Sequence, residues 1–268
     1  MTDHISPRMG AATPAGTIKE CTILAAGEYY GSTPPSAAPG ALVIAADGGL
    51  DHARRLGIHA DLVIGDFDSV SSDADPGDGA IRLPAQKDDP DLLCALKVGW
   101  HRGARRFHVY GALGGRIDHT IASIRLMGFL AEQGGTGFLY GDGYVVTAVH
   151  DGSLRFAAHP AAPRSMVSVF SLSDRSEGVT ISGLKYVLHD AELANTAVQG
   201  VSNEFLDHAE ASIDVARGTL VVTFPAGSPL PSVTHHHEFT GSLGELDMSV
   251  SAALARPAAG GTALRTPL

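Results

Sequence analysis

The sequence predicts an α/β fold in which a mostly parallel sheet flanked by helices is followed by an antiparallel β-sandwich. Three observations predict it. The first half alternates short apolar runs with segments of helical spacing, the pattern of doubly buried strands joined by crossover helices. After about Gly135 the helical spacing disappears, and strand-like pieces follow one another between turns. At 268 residues with 44% hydrophobic content, the chain can build a core without disulfides or a structural metal.

Residues 1–16, small and polar with two prolines, read as a disordered extension. An α/β domain is expected over 17–145, with strands in the apolar runs 21–26, 41–46, 61–66 and 106–112. Leu92, Leu93, Ala95, Leu96 and Trp100 give 91–103 a helical face; Ile121, Ile124, Leu126, Met127 and Leu130 do the same for 118–133. The sandwich is expected over 146–225, built from pieces such as YVVTAVH, MVSVFSL, GVTISG and TLVVTF, with its boundary near residues 140–155. Residues 226–268 form a weakly patterned tail, in which His235 to His237 read as a solvated run rather than a metal site.

The net charge of −10 and pI near 5.6 exclude duplex binding by counterion release, which needs clustered Lys and Arg, so nucleic acid is not an expected partner. Acid is concentrated between Asp61 and Asp91, where nine Asp face only Arg82 and Lys87. Such a segment is either a strongly solvated loop or a holder of a divalent cation. No run approaches the roughly 20 apolar residues of a membrane span, and the N-terminus lacks the basic start of a signal peptide. Cys21 and Cys94 lie in apolar surroundings and read as buried free thiols, which suits a reducing compartment. A cytoplasmic protein with no membrane partner is expected.

Four loops carry the chemistry. Ile64-Gly65-Asp66-Phe67-Asp68-Ser69 leaves the third strand, and i, i+2 spacing turns Asp66 and Asp68 to one side and Phe67 to the core. The two carboxylates either cap a turn or bind magnesium, a hard ion that takes carboxylate and phosphate oxygens. Lys87-Asp88-Asp89-Pro90-Asp91 precedes a helix, where acid and proline suit the helix start and Lys87 suits a phosphate. Gly114-Gly115-Arg116-Ile117-Asp118-His119 opens another helix, with backbone N–H groups for an anion and an arginine fork for phosphate oxygens. His119 alone is as readily structural as catalytic. Asp47-Gly48-Gly49 repeats the same logic after the second strand. All four loops leave strand C-termini, the edge where open parallel sheets bind ligands.

In this order and spacing, AlaAspGlyGly (46–49), GlyAspPheAspSer (65–69), LysAsp..Asp (87–91) and GlyGlyArg.AspHis (114–119) resemble the thiamine pyrophosphokinase family. Gly183-Leu184-Lys185-Tyr186 and Val201-Ser202-Asn203-Glu204-Phe205 are similar to that family's sandwich, so the resemblance covers roughly residues 20–225. It implies a homodimer with its site at the interface, transferring pyrophosphoryl from ATP to the hydroxyethyl group of thiamine and releasing AMP. It further implies that Asp66, Asp68 and Asp91 hold magnesium and, with Arg116, form the catalytic set. Asp47, Gly48, Gly49, Lys87, Gly114, Gly115, Arg116, Asp118 and His119 would meet ATP, and Ser202 and Asn203 would line the thiamine pocket. The chain departs from the family pattern at Pro90, usually Thr, and at Ser123, usually Asn. Two other readings stand beside it: a pyrophosphokinase acting on another hydroxymethyl heterocycle such as a pterin, or a silent nucleotide-binding regulatory protein.

Overall fold

Largely buried runs of four or five residues, some aliphatic and some partly aromatic, build the parallel half of the sheet. In the computed structural model, which describes residues 19–67, 77 and 79–250, these are β1 (Glu20–Leu24), β2 (Leu42–Ala46), β3 (Leu62–Gly65), β5 (Arg106–Tyr110) and β6 (Thr136–Tyr140), with the two-residue β4 (Ile81–Arg82) at the edge. They lie in the order β4-β3-β2-β1-β5-β6, every neighbouring pair parallel. The expected strands stand within about two residues of their predicted ends. Ala25, Ala26, Gly111 and Ala112, expected inside strands, have instead left the sheet. Residues 1–16, expected to form a disordered extension, lie outside the described residues.

Alternation along each strand divides the side chains between two faces. Cys21, Ile23 and Ile44 point into the main core with helices α2 (Asp91–His101) and α3 (Ile117–Glu132); Leu24, Val43 and Ala45 face the side of α1 (Gly49–Leu56). Both cysteines are free and buried, as expected. Burial pushes the Cys21 thiol to about 12 and the Cys94 thiol to about 11, with carboxylate charge adding to both shifts.

The sheet does not end at β6. The 13-residue β7 (Tyr144–Phe156) pairs antiparallel with β6, and the 15-residue β12 (Ala211–Pro225) runs beside β7 for most of its length. A bulge between Val215 and Thr219 divides β12, whose first part pairs with β9 (Arg175–Ser182) and whose second part pairs with β8 (Met166–Ser171). β10 (Leu188–Ala194) extends the first leaf beyond β9, and β11 (Asn203–Glu204) extends the second beyond β8. One core that includes Phe138, Phe156, Val169, Ile181, Ile213 and Phe224 is shared by both leaves. The antiparallel half is therefore a sandwich made by one sheet, of 13 strands among the described residues, turning over on itself. The boundary placed at residues 145/146 falls inside the unbroken β7.

Between Ala226 and Val250 the weakly patterned tail carries a strand and packed contacts, and its residues 251–268 lie outside the described residues. β13 (Ser232–His235) pairs with β7, and the chain then crosses the far ends of α3 and α2. Leu243 enters the main core at 3% exposure, and the Ser242 N–H donates to Gln133 Oε1. Irregularly spaced anchors, Phe239, Leu243 and Leu246, and bonds to single side chains leave no periodicity to read.

Candidate active site

β1 has β2 on one side and β5 on the other, so the chain leaves β1 in one direction and later returns to its opposite edge. Such a switch point opens a crevice at the strand C-termini. A cleft of about 410 Å³ lies there, lined by the residues that follow those three strands: Ala25 to Gly27, Asp47, and Gly111 to Arg116 without Leu113. The starts of α2 and α3 supply its other walls, through Pro90, Asp91, His119 and Ser123 among others.

Close packing produces each approach. Gly49 starts α1 so near β1 that a Cβ would lie 1.9 Å from the Leu24 carbonyl oxygen, which only glycine permits. Asp47, held at φ 48° with its N–H donating to the Ile64 carbonyl at 2.7 Å, turns the chain at the end of β2. Aspartate tolerates that left-handed conformation better than most residues. Gly114 and Gly115 lie at φ +82° and +60° and expose the backbone ahead of α3. Leu113 is anchored behind them at 1% exposure, while Tyr30 Oη donates to Glu28 Oε2 beside the loop.

The acidic loop converges on one ammonium. Lys87 Nζ lies 3.0 Å from Asp91 Oδ1 and 3.6 Å from Asp66 Oδ2, with only 8% of its side chain exposed. Burial draws the Lys87 pKa down, but the contact and charge of Asp91 and the charge of Asp66 outweigh it and hold the group above the ordinary lysine value. Pro90 is the N-cap of α2 and makes no side-chain cap bond, while Asp91 stands in the first turn, where its charge suits the helix dipole. Phe67 packs toward the α1 side with the Arg82 guanidinium 5.1 Å from its ring. Asp68 lies outside the described residues.

Arg116 holds its fork on Asp118, at 2.6 Å and 3.2 Å, with both side chains exposed at the cleft rim. That hydrogen bond raises the Arg116 pKa and lowers that of Asp118. His119 lines the cleft; Gly48 and Gly49 stand behind it, as N-cap and first residue of α1. Among the described residues, no group of three or more His, Cys, Asp or Glu is placed to hold a metal ion. The donors that do meet here, Asp66 and Asp91 at one cationic point, are oxygen-only and fit magnesium rather than a softer ion.

Ser202 and Asn203 do not line this cleft. Asn203 is buried at 7% exposure, and its amide clamps the backbone of Tyr186: Oδ1 accepts from the Tyr186 N–H at 2.9 Å and Nδ2 donates to the Tyr186 carbonyl at 2.7 Å. The Tyr186 side chain is left exposed at 60%. Ser202 sits at φ 61°, its N–H donating to Ser168 Oγ. The sequence reading missed Ala25 to Gly27, although a small-residue turn after β1 obeys the same rule as the other loops. Pro90 and Ser123, the two departures from the family pattern, both line the cleft.

The fold has close counterparts among solved structures. Thiamine pyrophosphokinase from Bacillus subtilis superposes with a TM-score of 0.68 at 22% identity, covering 78% of this chain and 100% of its own. The enzymes from Candida albicans and yeast give 0.62 and 0.60 at 15% and 13% identity, covering 77% and 79% of this chain and 88% and 87% of their own. At these identities the likeness speaks for the fold. No curated protein sequence matches the chain. A family model described as the thiamin pyrophosphokinase catalytic domain matches residues 38–134, which carry the cleft, and one described as its vitamin B1 binding domain matches residues 158–220 in the sandwich. With both parts matched in order and together spanning well over half of its length, this chain belongs to the thiamin pyrophosphokinase family.

Proposed function

We propose that the chain transfers a pyrophosphoryl group from ATP to the hydroxyethyl oxygen of thiamine, giving thiamine diphosphate and AMP. The observation that carries this reading is the meeting, at one sheet switch point, of a lysine held by two carboxylates with a paired-glycine helix start. The first suits a metal and phosphate, and the second suits an anion.

The thiamine alcohol attacks the β-phosphorus in line, and AMP departs. Gly114, Gly115 and the N-terminus of α3 offer donors to the phosphates, while Asp47, Gly48 and Gly49 shape the wall opposite. Arg116 releases Asp118 to fork onto phosphate oxygens, Lys87 meets the transferred group, and His119 borders the nucleotide. Asp66 and Asp91, with Asp68 from the same loop, would hold magnesium, which neutralises phosphate charge when bound. Alignment and charge neutralisation supply most of the acceleration in such transfers.

The thiamine half of the site comes from a second copy of the chain. Ile117 and Ile121 stand exposed beside the cleft; Tyr186, Val187, Val201 and Leu206 stand exposed around β11. Two such apolar surfaces on one molecule suit a symmetric dimer. Ser202 and the Tyr186 ring would face the partner's cleft, the ring suiting a cationic heterocycle, with Asn203 holding it in place. The free thiols accord with a cytoplasmic site of action. Incubation with thiamine, ATP and magnesium should yield equal amounts of thiamine diphosphate and AMP by mass spectrometry. Thiamine monophosphate with ADP, or no product, refutes the assignment.

A further inference from the structure

Lys97 is a buried cation that the proposed chemistry does not use. It lies on α2 at 8% exposure, and its ammonium donates to Asp89 Oδ2 at 2.6 Å and to the Glu245 carbonyl at 3.0 Å. Asp89 belongs to the acidic loop, two residues from both Lys87 and Asp91. The loop is thus gripped on two sides: Asp91 is drawn to Lys87 beside the cleft, and Asp89 to Lys97 away from it. The N-cap Pro90 makes no side-chain cap bond, so these ion pairs act on the loop together with the Cys94 N–H, which donates to the Pro90 carbonyl at 3.1 Å. The Glu245 carbonyl belongs to the strap that follows β13, which is anchored by Leu243 in the core and by His101 Nε2, 3.2 Å from the Gly244 carbonyl. Both family matches end before this strap begins.

We propose that Lys97 is a positioning residue for the reaction, through which the C-terminal strap fixes the acidic loop and so the placement of Asp91 and Lys87. Stripping one partner from a buried ion pair strands the other, and partners that orient ligating residues typically carry 10- to 100-fold effects. This rests on the proposed function, and the experiment separates the two. In the full-length protein, Lys97→Met should lower kcat about 10- to 100-fold and raise the magnesium concentration for half-activation, leaving the thiamine KM unchanged. Amide exchange over residues 87–94 should accelerate while that of β1 and β5 stays put. Lys97→Arg, which keeps donors for both partners, should restore most of the kcat and the protection.

A folded Lys97→Met protein with wild-type kcat and wild-type exchange in the loop overturns the proposal. So does a loss of activity that follows only the folded fraction and is not relieved by arginine. Should Lys97→Met fail to fold, Asp89→Asn tests the same link from its more exposed end, and wild-type kinetics in that variant overturn it. If the wild type itself makes no thiamine diphosphate, the proposed function fails while loop exchange still judges the positioning role.

Discussion

Asp66 and Asp91 share Lys87, so removing one carboxylate leaves the ammonium partnered by the other. Asp66→Asn should therefore keep the melting temperature within a few degrees while nearly abolishing turnover; near-normal activity at limiting magnesium rejects the metal role. Lys87 itself gives a pH signature. Because its folded pKa is raised, the stability it contributes is complete below the ordinary lysine value and is lost as pH rises through the raised one. Lys87→Met should thus show a constant stability deficit against the wild type through the neutral range, closing only at strongly alkaline pH in denaturant titrations. Arg116 is engaged by Asp118 in the free protein. Arg116→Lys keeps the charge but loses the fork, so kcat should fall about 100-fold in steady-state assays, as when one electrostatic donor is lost. An unchanged kcat limits Arg116 to its pairing with Asp118.

At the scale of elements, the join between β1, β2 and α1 leaves no room for adjustment, because the Cβ that Gly49→Ala adds meets backbone. A loss of about 3 kcal/mol or more is expected from such overpacking, and a thermal melt indistinguishable from wild type contradicts the packing described. Elements of this kind were legible because burial on both faces makes a strand of uninterrupted aliphatic residues, as in Leu42–Ala46. The cleft loops were legible for a related reason: acid and paired glycine at strand ends have few structural uses. Lys97 and Asp89 were not legible, since nothing in a sequence tells which of five neighbouring charged residues, Lys87 to Asp91 apart from Pro90 and then Lys97, pair with which. The strap was hidden because irregularly spaced apolar residues and a few carbonyls dock it. The bend in β12 does leave a trace, since Val215 and Leu220 face the same core although they stand an odd number of positions apart, and that shift in the alternation falls at the bulge.

For the molecule as a whole, the two halves of the proposed site lie on different parts of one chain, the cleft before Leu126 and the Tyr186 clamp within the sandwich. Two inactive variants, Asp66→Asn and Tyr186→Ala, should regain part of the activity when mixed under conditions of subunit exchange, because one site in each mixed dimer receives both intact halves. Demonstrated exchange without recovery places each site within one chain. The 13-residue strand β7 pairs with β6 of the parallel sheet at one end and continues into the sandwich at the other. A beam of this kind carries no hinge, so the halves cannot shut on substrate like jaws. Shielding the reaction from water then falls to the loops at the cleft and, in the dimer we propose, to the seam between two subunits, which would make catalytic competence a function of protein concentration.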